Sequence, residues 1–196
     1  MSDPGTASPD PPRILAAGGA HTAVELQAMA ADGVLRRVLP GAYVLPGAAD
    51  GPELRSAAAG ALVGPRLRGG ALGRLTAAWI YGCAPVPLEL EVLVPRFHRS
   101  TLGGDPIPVR LSEARLLPAD RRVLGGVPVT SPARTALDVA FHSPEEHARP
   151  ALARLAGAPG LGCPAGHLLR LIEETTRRPG RHRAQRLVRE LLGGAV

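Results

Sequence analysis

A hydroxyl, a carboxylate and an imidazole stand close together at Ser131, Asp138 and His142, inside the run SPARTALDVAFH. Together those groups can make a nucleophilic triad. The spacing argues for a structural role instead. Asp138 and His142 lie four residues apart and share a helix face. Ser131 falls at the helix start, where its hydroxyl is expected to cap backbone amides. Arg134, four residues before Asp138, completes an ion pair on the helix flank. We read Ser131, Arg134 and Asp138 as a structural motif, with Arg134 tying the helix to a neighbouring loop.

Glu89 and Glu91 share one face of the alternating stretch LELEVLVP. Paired carboxylates on a strand resemble nuclease metal sites, which add a third carboxylate and a lysine. Neither is at hand, so a solvated strand face is the expectation. The histidines at 21, 98, 142, 147, 167 and 182 are scattered, and no pair has a zinc-like neighbourhood. No metal site is expected. GLGCPAG (160–166) has the wrong spacing for a dinucleotide loop and contains Pro164, so no cofactor is expected either.

The basic residues are the other chemical resource. All 23 are arginine, which removes phosphate-loop and Schiff-base lysine chemistry and leaves a restriction-like nuclease motif without its cation. The net charge of +6 favours polyanionic partners, nucleic acid first. Arg36 and Arg37 adjoin in one strand pattern, and alternation sends them to opposite faces. Arg177, Arg178, Arg181, Arg183, Arg186 and Arg189 crowd near the C-terminus with no acid among them. That patch reads either as the solvated face of an amphipathic helix or as a second polyanion contact.

The elements that must position these residues follow from periodicity and capping. Residues 1–12 are small, Pro-rich and acidic, and read as a disordered tail. A short helical piece at 13–17 ends at Gly18-Gly19. Thr22 and Glu25 make a capping box for a helix with Val24, Ala28 and Ala31 on its stripe, stopped by Gly33. The sequence VLRRVLPGAYVLP is a hairpin pattern with a loop expected to exceed Pro40-Gly41. Helices are expected at 52–63 and from Thr76. Strands are expected at 88–95, half-buried, at 107–113, and at 121–130 around a Gly125-Gly126 turn. Helices then fill 131–141, 144–156, 164–177 and 181–192, the last with Ala184, Leu187, Val188, Leu191 and Leu192 inward. No internal repeat is evident.

With 45% hydrophobic and 3% aromatic residues, the core must be built from Leu, Val and Ala. Gly 24 and Pro 21 imply many turns. Cys83 and Cys163 lie far apart and suit neither a disulfide framework nor a metal pair. Without a signal peptide or an apolar run of about 20 residues, a cytoplasmic chain with no membrane partner is expected.

Three stretches taken in order carry a resemblance: the capped helix with GVLRRVLPGAYVLP, then LTAAWIYG with LEVLVP, then GGVPVTSPARTALDVA with RPGRHRAQRLVREL. From Thr22 to Leu192 the chain resembles the AbiEi-type antitoxins of type IV toxin–antitoxin systems and their actinobacterial relatives. It ends before the nuclease-like extension some relatives carry. The resemblance implies an α+β chain: a winged-helix-like N-terminal module, here shortened (13–50), then a small mixed α+β domain with C-terminal helices (51–196). It implies a non-enzymatic, DNA-binding transcriptional regulator. Its partners would be operator duplex DNA and a nucleotidyltransferase-like toxin. The candidate DNA-binding residues are Arg36, Arg37, Arg181, Arg183 and Arg186. The helix beside Arg36 and Arg37 carries Glu25, Gln27 and Asp32 but no arginine. The alternative is therefore a protein-interaction member of the same family that has lost DNA binding.

Overall fold

The computed structural model describes residues 13–96, 105–175 and 178–193. The expected tail at 1–12 lies outside the described residues, as do His98 and Arg177.

The chain begins with a strand, β1 (Leu15–Ala16), and the expected helical piece at 13–17 is corrected. A segment this short ahead of Gly18-Gly19 gains little from one helical turn. It instead pairs with a later strand. Thr22 caps α1 (Ala23–Ala31): its Oγ1 accepts from Glu25 N at 3.3 Å, and Glu25 Oε2 accepts from Thr22 N at 2.7 Å. The buried face of α1 is Leu26 with Met29 and Ala30, packed on Leu35 and Tyr43. Val24 is 75% exposed, so the stripe through Val24 and Ala28 is also corrected. One leucine removes more apolar area from water than the alanines of the other face.

β2 (Arg36–Leu39) and β3 (Ala42–Val44) form the hairpin, and the first sheet runs β1-β3-β2, antiparallel throughout. Its loop is two residues, Pro40-Gly41, not longer. Leu39 faces Ala42, while Arg37 faces Tyr43, so Val38 is bulged out of register. The bulge absorbs the twist that a Pro-Gly turn matches poorly. Gly41 has φ +83°, and a Cβ there would lie 2.2 Å from Pro106 Cγ.

The rest of the chain is mixed α+β. α2 (Pro52–Val63) and α3 (Arg74–Ile80) accompany a second sheet. Its strands are β4 (Ala71–Leu72), β5 (Leu90–Val94), β6 (Val109–Glu113), β7 (Arg121–Leu124) and β8 (Val127–Thr130). The order is β6-β5-β4-β8-β7; β5/β6 and β4/β8 are parallel, the other pairs antiparallel. β5 is an inner strand with Leu90, Val92, Leu93 and Val94 all buried, so the half-buried expectation is corrected; Leu88 lies outside the strand, exposed.

Four helices close the fold: α4 (Pro132–His142), α5 (Glu145–Gly157), α6 (Ala165–Glu174) and α7 (Arg181–Gly193). They build one core with Ala78 and Cys83, around Val139, Leu152, Leu155, Leu168, Ile172 and Leu187. A second core joins Leu39 and Ala42 of the hairpin to Ala58, Ala59 and Val63 of α2 and to Leu72, Leu90, Val92 and Val129. On α7 the inward stripe is Ala184, Leu187 and Val188, with Leu191 partly buried. Leu192 is 45% exposed and does not belong to it.

Candidate functional site

The N-terminal hairpin separates its two arginines. Arg36 folds over the following loop and Nη2 donates to the Ala48 carbonyl at 2.9 Å. Arg37 points away, exposed, across from the buried Tyr43. Tyr43 packs with Leu26 and Leu35, so the strand under Arg37 is anchored to α1. The Arg37 side chain makes no hydrogen bond or ion pair among the described residues.

The arginines of α7 are engaged inside the chain. Arg181 Nη2 donates to the Glu173 carbonyl at 2.9 Å. Arg183 donates to the carbonyls of Phe141, at 3.3 Å, and Ser143, and its Nε lies 3.4 Å from Glu145. Arg186 reaches Glu145 at 2.5 Å and Glu190 at 3.4 Å. Arg149 of α5 also pairs with Glu145 and Glu190, and Arg189 with Glu173. Arg186 beside Glu145 holds that carboxyl below its ordinary range. The sequence shows a run without acids, but the fold brings acids to it from α5, from α6 and from the end of α7.

The α4 motif forms a tight cluster. Asp138 is 2% exposed; its Oδ2 accepts from Arg134 Nε at 2.7 Å. Arg134 Nη1 bridges to Asp120 at 3.0 Å and to the Arg115 carbonyl at 3.1 Å, the tie to a neighbouring loop. From the other side Arg178 lies over the Phe141 ring, 3.4 Å from Asp138 and 3.0 Å from His142 Nε2. Partial desolvation, then the Arg74 charge, pushes the His142 pKa down, so neutral Nε2 accepts from Arg178. Ser131 stands at the N-cap, but its hydroxyl makes no capping bond, which corrects that detail. Its amide donates to the Asp120 carbonyl at 2.8 Å and its carbonyl accepts from Thr135 N. Polar closure inside this helix start comes from the Thr130 and Thr135 hydroxyls, 2.7 Å apart. Among the described residues no hydrogen bond joins Ser131 to His142.

Glu89 and Glu91 do not form a shared site. Glu89 pairs with Arg110 at 2.7 Å across the β5/β6 edge. Glu91 is 13% exposed, not solvated: it accepts from Leu75 N at 3.0 Å and meets Arg74 at 3.4 Å. Burial raises its pKa, against those donors. Glu91 thus caps the start of α3, where Arg74 adopts a left-handed φ of +50°. Among the described residues no group of three or more His, Cys, Asp or Glu could hold a metal ion.

The structure also exposes residues that the sequence reading passed over. β7 carries the tetrapeptide Arg-Arg-Val-Leu at 121–124, identical to β2 at 36–39, and each directly precedes a two-residue turn. Arg121 Nη2 donates to the Leu116 carbonyl at 3.3 Å, while Arg122 is exposed. The repeated tetrapeptide itself was the available signal.

An N-terminal β-α-β-β unit fused to a mixed sheet and a four-helix layer defines the class: a small α+β chain with an exposed arginine on each of two edge hairpins. Residues 71–191 match the family of the AbiEi antitoxin C-terminal domain, and the chain belongs to that family. No curated protein matches the sequence significantly. Among solved structures it is similar to the RV2827C protein from Mycobacterium tuberculosis, at 21% identity and a TM-score of 0.45. That similarity covers 88% of this chain and 66% of the other, just under two-thirds of its length. Among the described residues no helix is long and apolar enough to cross a membrane.

Proposed function

We propose that this chain is a non-enzymatic, DNA-binding antitoxin-like regulator of a type IV toxin–antitoxin system. Residues 13–50 would be its DNA-contacting module and 51–196 its antitoxin domain. The family match supports the antitoxin role. The order β1-β3-β2 packed on α1 supports a winged-helix-like reading of the module. The observation that carries DNA contact is Arg37: an exposed, unpaired cation on a strand held rigid by Tyr43 and α1. A guanidinium so placed can meet a phosphate without first losing an internal partner. Arg36 would orient the hairpin through Ala48. Arg181, Arg183 and Arg186 would have to give up internal partners to touch DNA, so this reading makes them primarily ties between helices. The C-terminal domain would counter a nucleotidyltransferase-like toxin in the cytoplasm.

Gel-shift titration across salt tests this. Arg37→Ala should weaken binding similarly for all duplex sequences and lower the salt slope by about 1. An unchanged slope removes the hairpin from the interface. One observation favours the second reading, a protein-interaction role without DNA: the outward face of α1 offers Val24 and Gln27 beside Glu25, and no cation. Under that reading Val24→Glu abolishes partner capture while DNA affinity stays negligible in wild type and variant alike.

A further inference from the structure

The two Arg-Arg-Val-Leu hairpins are alike in more than sequence. Each forms the edge strand of its own sheet, β2 in the first and β7 in the second. In each, the first arginine donates to a nearby backbone carbonyl: Arg36 to Ala48, Arg121 to Leu116. In each, the second arginine stands exposed three residues before the first turn residue, and its side chain has no hydrogen bond or ion pair among the described residues. The backbone solutions differ, Pro-Gly with a bulge in one and Gly125-Gly126 at φ +52° and +78° in the other. The same cation is presented by two kinds of turn.

Both hairpins pack on one helix. The β2–β3 turn abuts α2 near its C-terminal end, where Gly41 faces Leu62. The β7–β8 turn abuts it near its N-terminal end. A Cβ on Gly125 would lie 2.3 Å from the Glu53 carbonyl oxygen, and Ser56 Oγ donates to Leu124 O at 2.6 Å. Val127 presses on Gly60 between them. Six to nine helical residues separate the two anchor points, about 9–14 Å at a rise of about 1.5 Å each. That is well within one turn of duplex DNA, about 34 Å.

We infer that the β7–β8 hairpin is a second phosphate-contacting element, with Arg122 binding the backbone of the duplex that Arg37 also contacts. This rests on the DNA-binding reading above and adds a site within the antitoxin domain. α2, wedged against both turns, fixes the spacing between the two hairpins. Contact of this kind carries no base readout, so it sets affinity and register, not sequence preference.

The test is a salt titration of the full chain on a random-sequence DNA duplex, with Arg37→Ala, Arg122→Ala, the double variant and Arg154→Ala. Arg154 is exposed on α5, away from both hairpins, and controls for net charge. Arg37→Ala and Arg122→Ala should each lower the slope of log K against log salt by about 0.9, and the double by about twice that. At 0.1 M salt each slope change corresponds to a loss on the order of tenfold in affinity. Arg154→Ala should leave the slope unchanged. If Arg122→Ala shifts the melting temperature, Arg122→Gln, which keeps the aliphatic stem, supplies the readout. A normal slope for Arg122 variants beside a reduced one for Arg37→Ala overturns the second contact and leaves the first reading intact. Equal losses at Arg122 and Arg154 overturn it too, since net charge then explains both. A loss at Arg122 alone supports the second contact and removes Arg37. No duplex binding by the unmodified chain overturns both.

Discussion

The C-terminal helix and the two edge hairpins use arginine in opposite ways. α7 is the most basic stretch of the described chain, yet Arg181, Arg183, Arg186 and Arg189 all meet carbonyls or carboxylates of neighbouring elements. The hairpins carry two arginines each, and one of each pair is unengaged. Charge density along a sequence therefore does not measure the charge a surface can offer. A helix packed among others brings its arginines within reach of acids from those helices. On the hairpins successive arginines point to opposite sheet faces, and Arg37 and Arg122 stand exposed where no acid meets them among the described residues.

The largest effect should come from the apolar side of α7. Leu187→Ala, at a fully buried position, should lower stability by about 2–5 kcal/mol in thermal or denaturant melting. Truncation before Arg181 should unfold the helical layer altogether. If α7 can be removed without loss of melting temperature, its arginines are not ties between helices and the contrast with the hairpins fails.

Asp138→Ala should cost about 3 kcal/mol, because it strips Arg134 and Arg178 of a buried acceptor. Lost function at unchanged stability would make the cluster a site instead. Arg183→Gln should cost about 1 kcal/mol by releasing the α4 C-terminal carbonyls.

The His142 pKa is lowered, so between its folded value and about 6.5 the unfolded chain binds more protons than the folded one. Stability from this group is complete above about pH 6.5 and falls as pH drops through the folded value. Below that window the loss is complete. Melting temperature should fall on acidification from pH 7 to 5.5 in the wild type, and less so in His142→Gln. Equal slopes would mean that the Arg178 contact does not depend on neutral imidazole.

The smallest effect on stability belongs to Arg37→Ala and Arg122→Ala, each within about 0.5 kcal/mol. A larger cost would show that the hairpin arginines are also structural and would close the gap between the two regions.

Local rules made much of the fold readable. The Thr22–Glu25 capping box, Pro52 at a helix start, the Ser131-Pro132 boundary and the Gly125-Gly126 hairpin all stand where capping and turn chemistry place them. Family membership was likewise legible in ordered short stretches. The β1 strand was not, because Leu15 and Ala16 become a strand only when β3 lies alongside. The buried face of α1 was not legible either, because a helix of alanines leaves several stripes nearly equal until Tyr43 and Leu35 select one.

By itself the sequence determined the cations, their lack of lysine, the element boundaries set by Gly, Pro and caps, and the family. Those depend on neighbours within a few residues. Only the tertiary structure decided which charges were satisfied. Glu91 became a buried acceptor for Leu75 and Arg74, and Glu145 became the shared anchor of Arg149, Arg183 and Arg186. An ion pair between residues forty apart, such as Arg186 and Glu145, leaves no local spacing to read. It exists because packing the apolar stripe of α7 against the other helices fixes where its polar flank must lie.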